Sequence, residues 1–164
     1  MSSTYTVERS RVVDAPADRV YQLVADFEQW TRWSPWEDVD PQMERRYSGA
    51  DSGVGAVYSW AGNRKAGSGR MEISRADEPR LVEIALEFEK PFKSSNLTVF
   101  TIDPLEPAAG ADEGRSKVTW RMTGPRPLLL KLLSPVMNME KIVGTDFEKG
   151  LARLAEVARP KPAG

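Results

Sequence analysis

The spacing of apolar positions changes twice along this chain, and each change marks a new kind of element. Residues 5–13, YTVERSRVV, have strand composition and run into the turn-like Asp14-Ala15-Pro16. Apolar residues then fall at Val20, Leu23, Val24 and Phe27, the i, i+3, i+4, i+7 spacing of an amphipathic helix, with Pro16 placed to start it. Trp30 and Trp33 can share one face of a short second helix. Pro35 biases Ser34 away from helical geometry and should end that helix, leaving Trp36 beyond the break.

From about residue 42 to 124 the period falls to two. In the stretch around EIALEFE, Val82, Ile84, Leu86 and Phe88 alternate with Glu83, Ala85, Glu87 and Glu89, which predicts an antiparallel strand with one buried and one wet face. Gly62-Asn63 and Asp77-Glu78-Pro79 read as hairpin turns. A turn centred on Asn63-Arg64 would put Trp60 opposite Gly67 and Tyr58 opposite Gly69, aromatics over bare backbone. The next turn would put Met71 opposite Leu86 and Ile73 opposite Ile84, so one apolar face runs through three strands. NLTVFTI and KVTWRM supply two more strands. The second sets Val118, Trp120 and Met122 against Lys117, Thr119, Arg121 and Thr123, whereas both parities of the first are apolar enough that the face of Phe100 stays open.

The third regime is helical again, over roughly 128–158. Val136, Met139, Val143, Phe147, Leu151 and Leu154 recur in steps of three and four, and Ser134-Pro135 divides or kinks the segment. Residues 1–164 are expected to form a single domain, with a mobile hairpin loop at 103–116 and a tail at 159–164.

Composition narrows the chemistry. Cysteine and histidine are both absent, which removes disulfides, thiol nucleophiles, thiolate or imidazole metal sites and imidazole bases. Neither a metal nor another cofactor is expected. Twenty-three Lys+Arg against 24 Asp+Glu leave a formal charge of −1, and nucleic-acid binding is not expected without a basic face. Base stacking on the tryptophan stretch fails on charge, because its neighbours are Glu37, Asp38 and Asp40. MSSTYTVERSRVV contains no apolar run like a signal peptide, and nothing approaches the roughly 18 apolar residues of a spanning helix. The expectation is a cytoplasmic protein without stable membrane insertion; oligomeric state is left open.

The opening VVDAPADRVYQLVADFEQWTRWSPW, with its strand, Ala-Pro helix start and aromatic second helix, resembles the START-like, or SRPBCC, superfamily, and most closely its polyketide cyclase/dehydrase branch. GAVYSWAGNRKAGSGRMEI, KPFKSSNLTVFTI, KVTWRM and VGTDFEKGLARL carry the likeness over nearly the whole chain. The resemblance implies an α+β helix-grip fold, Bet v 1-like, in which a curved antiparallel sheet wraps a long C-terminal helix and encloses a cavity. It puts Glu83, Glu87, Glu89, Lys117 and Arg121 on the outer, wet face.

Trp30 and Trp33 read as core, since a tryptophan can bury roughly 150–250 Å². For Trp36 packing and lining of the cavity mouth both stand. With it, Tyr58, Trp60, Met71, Phe88, Trp120, Met122, Met139 and Phe147 form the candidate ligand-binding set. An ordinary filled core is the bland reading of the same residues. Glycines that remove side chains and methionines that make adaptable walls favour a cavity for an apolar or aromatic small molecule, lipid- or polyketide-like, with Tyr58 and Asn96 or Thr98 as polar contacts. The alternative is a metal-free cyclase or dehydratase, with Tyr58, Glu140, Asp146 and Arg64 as acid–base candidates. A carboxylate in an apolar cavity could work there as acid or base near neutral pH. A third class is a protein-interaction module that uses LLLKLLSPVM, otherwise a lid over the cavity. Gly67-Ser68-Gly69 lacks the context of a phosphate loop.

Overall fold

A computed structural model describes residues 4–36, 40, 42–63, 67–90, 93–107, 109–110, 113–125 and 139–159. Seven antiparallel strands form one sheet in the order β1-β7-β6-β5-β4-β3-β2. They are β1 (Thr4–Val13), β2 (Glu44–Gly49), β3 (Ala56–Ala61), β4 (Ser68–Asp77), β5 (Leu81–Lys90), β6 (Ser94–Leu105) and β7 (Arg115–Pro125). Helix α1 (Ala17–Ala25) and a 3-10 turn (Phe27–Arg32) follow β1, and the long helix α2 (Met139–Ala158) closes the described chain. Helix α1 packs on β5, β6 and β7, while α2 runs along β1 and touches α1 and the 3-10 turn. This is a helix-grip arrangement.

The alternation read from the sequence decides the faces. Val82, Ile84 and Leu86 are buried, whereas Glu87, Glu89, Lys117 and Arg121 are exposed and Glu83 is partly so. Met71 pairs with Leu86 and Ile73 with Ile84, as expected. The β3–β4 register is different: Trp60 pairs with Gly69 and Tyr58 with Met71, two residues from the predicted partners. The hairpin closes through Gly62 N–H to Gly67 O (2.9 Å) and Gly67 N–H to Asn63 O (2.8 Å), so its loop is longer than a tight turn. A shift of two preserves the faces. Phe100 points inward and is fully buried. The ladder between β6 and β7 extends to Leu105 and Arg115, which takes Asp103–Leu105 and Arg115–Ser116 out of the predicted 103–116 loop.

Trp30 and Trp33 do more than fill space. The last carbonyls of a helix lack partners within it. Here the Trp33 indole N–H donates to Leu23 O (2.9 Å), the Trp30 indole N–H to Val24 O (2.8 Å), and Gly53 N–H to Ala25 O (2.9 Å). The two indoles thereby cap α1 from the core side, and both are buried.

Arg19 of α1 ties three elements at the far end. Its guanidinium donates to both carboxylate oxygens of Glu113 (2.6 and 2.9 Å) and to Ala158 O at the end of α2 (3.2 Å). That pairing holds the Glu113 carboxyl below its ordinary value of 4.5. A carboxylate with a depressed folded-state pKa contributes stability above its unfolded value and loses it as pH falls through the folded one. Glu113→Gln is therefore expected to lower the melting temperature at neutral pH, with the gap to the parent closing on acidification below 4.5. Melting curves across that range check this, and a gap independent of pH would rule out the ion pair as its cause. Both side chains are more than one third exposed, so the effect is small.

Candidate functional site

Register and burial together locate the site. Inward-facing residues line up across the strands in rungs. The deepest of four successive rungs carries Val82, Phe100 and Trp120, exposed by 0–1%, with Arg9 partly exposed at its β1 end. The next carries Ile73, Ile84, Thr98, Met122 and Val7, exposed by 0–5%. Then come Tyr58, Met71, Leu86, Asn96 and Tyr5, each still exposed by 7–8%. The last holds Trp60, Gly69, Phe88 and Ser94, whose side-chain-bearing members are only partly buried. Accessibility rises in one direction along the inner face. The face is sealed at the Trp120 end and open at the Trp60–Phe88 end.

The predicted ligand set divides between these ends. At the sealed end the Trp120 ring stacks on Phe147 of α2 (centroids 4.0 Å apart, planes 7° apart), with Phe100 at 4.8 Å and Trp33 at 5.7 Å. Trp36 meets Trp120 (5.6 Å) and Phe147 (6.2 Å) edge-on, so it packs at this end, away from Trp60 and Phe88. A Cβ at Gly150 would lie 2.9 Å from both Trp120 and Pro35, so bare backbone lets α2 come this close. At the open end Tyr58 and Trp60 lie nearly parallel (6.0 Å, 17°), and Phe88 stands perpendicular to Trp60 (5.7 Å, 87°). Met71 shares the rung of Tyr58, behind Trp60 and Phe88, and Met122 lies one rung deeper on β7. The side chains of Met139 and Glu140, and the segment 126–138 with LLLKLLSPVM, lie outside the described residues, as does Arg64.

The open end has a polar element that periodicity alone could not reveal. Tyr5 on β1 donates its hydroxyl hydrogen to Asn96 Oδ1 on β6, across the intervening β7. It crosses above Gly124, where any Cβ would collide with the Asn96 oxygen. Asn96 Nδ2 in turn donates to Ser94 Oγ (3.2 Å). Burial pushes the Tyr5 hydroxyl up to about 12, so it keeps its proton at neutral pH. One rung deeper the Thr98 hydroxyl is buried without a hydrogen-bond partner, and so is the Trp120 indole N–H. Buried polar groups are seldom left unpaired in a folded protein.

Of the acid–base candidates, Tyr58 sits in the aromatic wall, 6.1 Å from Phe27 and 5.3 Å from Tyr47. Asp146 is half-buried on α2, next to Phe147 at the sealed end. The structure does not bring the two to one point. A separate cleft of about 230 Å³ lies between the start of the 3-10 turn and the β2–β3 connection, walled partly by Asp26, Glu28 and Asp51. Among the described residues no three acidic side chains converge as a metal site. No described helix is long and apolar enough to cross a membrane.

Comparison with known proteins places this geometry. Similar solved structures include a protein of Chromobacterium violaceum (TM-score 0.66, 16% identity, 95% of this chain and 98% of that one). A major latex-like protein of Panax ginseng matches with a TM-score of 0.63 at 13% identity, over 97% and 100% of the two chains. Norcoclaurine synthase of Thalictrum flavum, in complex with dopamine and hydroxybenzaldehyde, matches at 0.60 and 11% identity, over 96% and 90%. At such identities the likeness shows the fold alone. No curated protein matches in sequence. The family model described as polyketide cyclase/dehydrase and lipid transport matches residues 4–159, and the chain belongs to that family.

Proposed function

We propose that this protein binds an apolar or aromatic small molecule over the inner face of the sheet, between Trp60 and Phe88 at the mouth and α2 beyond. The observation that carries this reading is the graded burial of that face. The two deepest rungs are closed, while Tyr5, Tyr58, Met71, Leu86 and Asn96 keep 7–8% of their surface. Perpendicular Trp60 and Phe88 offer a flat ring both a stacking face and an edge contact. Methionine walls adapt to irregular shapes. Membership in a family that includes lipid transport supports the same class of ligand. So does the norcoclaurine synthase structure with two aromatic compounds bound.

Titration with a hydrophobic dye, followed by displacement, tests this. Trp60→Ala and Phe88→Ala should each weaken dye binding by about tenfold, the loss of one good aromatic contact. Stoichiometric binding unchanged in both variants would sink this placement of the site.

A further inference from the structure

We propose that the Tyr5–Asn96–Thr98 patch recognises an uncharged oxygen, a hydroxyl or a ketone, on an otherwise apolar ligand. This deepens the binding reading above and rests on it. The patch is a built feature of the sheet. Tyr5 and Asn96 belong to strands separated by β7, and their contact exists because Gly124 leaves the crossing bare. With its hydrogen committed to Asn96, the Tyr5 oxygen retains acceptor capacity. Asn96 Nδ2 gives one hydrogen to Ser94 and keeps the other. Beside them the Thr98 hydroxyl, on a residue exposed by only 3%, has no partner and can serve as donor or acceptor. Met122 is its cross-strand neighbour, an unbranched side chain that would have to turn aside for a ligand atom to reach this rung.

Charge selects against an anion at this position. Among the described residues, cations at inner-face positions on the four rungs are Arg9 and Arg45. Arg9 pairs with Trp120, two rungs deeper than Tyr5, and its guanidinium faces Glu148 at 3.5 Å. Arg45 lies on β2, four strands away from Asn96. Among the described inner-face residues of the sheet, a carboxylate on the patch would find no adjacent counter-charge for the water it loses, which costs far more than seating a neutral oxygen. The ligand therefore enters with its neutral oxygen leading and leaves its apolar body against Phe88 and Trp60.

Naphthalene, naphthol and naphthoate share one two-ring body and test the patch on the intact protein. By calorimetry or tryptophan quenching, naphthol should bind about tenfold more tightly than naphthalene, with naphthoate weakest. Thr98→Val is close to the same shape and removes a hydroxyl that has no partner, so the melting temperature without ligand should not fall. It should bring naphthol to the affinity of naphthalene while leaving naphthalene unchanged. Tyr5→Phe, a second variant, should also lower naphthol affinity selectively. Naphthoate binding most tightly, with that affinity lost in Arg45→Gln, would overturn the proposal in favour of an anion at the mouth. Naphthol affinity unchanged in both Thr98→Val and Tyr5→Phe would overturn it as well. If none of the three compounds binds, the binding reading fails, and the patch proposal with it.

Discussion

Trp120→Ala should lower the stability of this protein by about 3–5 kcal/mol, the range for deleting a large aromatic side chain from a packed core. Trp120 is 1% exposed and touches rings from three separate parts of the chain. Phe147 of α2 stacks on it at 4.0 Å, Phe100 of β6 lies at 4.8 Å, and Trp33 and Trp36 after the 3-10 turn lie at 5.7 and 5.6 Å. Its removal takes away the ring on which Phe147 of α2 stacks, at the point where Gly150 lets the helix approach β7. Because small domains are stable by only about 5–15 kcal/mol, the loss is a large share of the total. Denaturant unfolding should show a lower midpoint at an unchanged slope. Trp120→Phe separates the two contributions of the residue. It keeps a stacking ring and removes the unpartnered indole N–H, so it should cost far less than the alanine variant. Equal losses in the two variants would mean that stacking on Phe147 is not what holds the helix.

How much of this was legible in the sequence depended on whether a property is local. The face of β5 was readable because Val82, Ile84, Leu86 and Phe88 alternate with three glutamates and Ala85, so water and core sort the two faces. β6 was not, since Leu97 and Val99 make its outer parity almost as apolar as its inner one, and Leu97 ends up 41% exposed. Only pairing of Phe100 with Val82 and Trp120 decides the matter. The β3–β4 register missed by two because Gly62-Asn63 reads as a short turn, whereas closure runs from Gly62 to Gly67, which adopts φ 65°. Periodicity placed the ligand set on one face but carried no information on which end of that face the helices would seal. Trp36, Trp120 and Phe147 therefore separate from Trp60 and Phe88 only in three dimensions. The indole caps on α1 and the Tyr5–Asn96 bridge were equally out of reach, being contacts between residues six to ninety-one positions apart.

Gly69→Ala is the second large effect expected, and it reaches from stability into the site. A Cβ at this position would overlap the Glu87 carbonyl oxygen of β5 and sit 2.6–2.8 Å from the Trp60 ring. The ladder shifts register between Ser68 and Gly69, so the backbone of β4 is already bent here. Overpacking of this kind costs about 1–3 kcal/mol, and the upper end applies because one of the two obstacles is backbone rather than a side chain that can swing away. The same methyl pushes Trp60 off its place beside Phe88, so dye affinity should fall together with stability. A double-mutant cycle with Trp60→Ala tells the two obstacles apart. If the indole carries part of the clash, adding Gly69→Ala to Trp60→Ala should cost less than adding it to the parent, and the residue of that cost belongs to the Glu87 carbonyl. Strict additivity in the cycle would place the whole penalty on the strand backbone. Gly69 would then shape the mouth by allowing β4 and β5 to approach, and the position of Trp60 above it would follow from that approach.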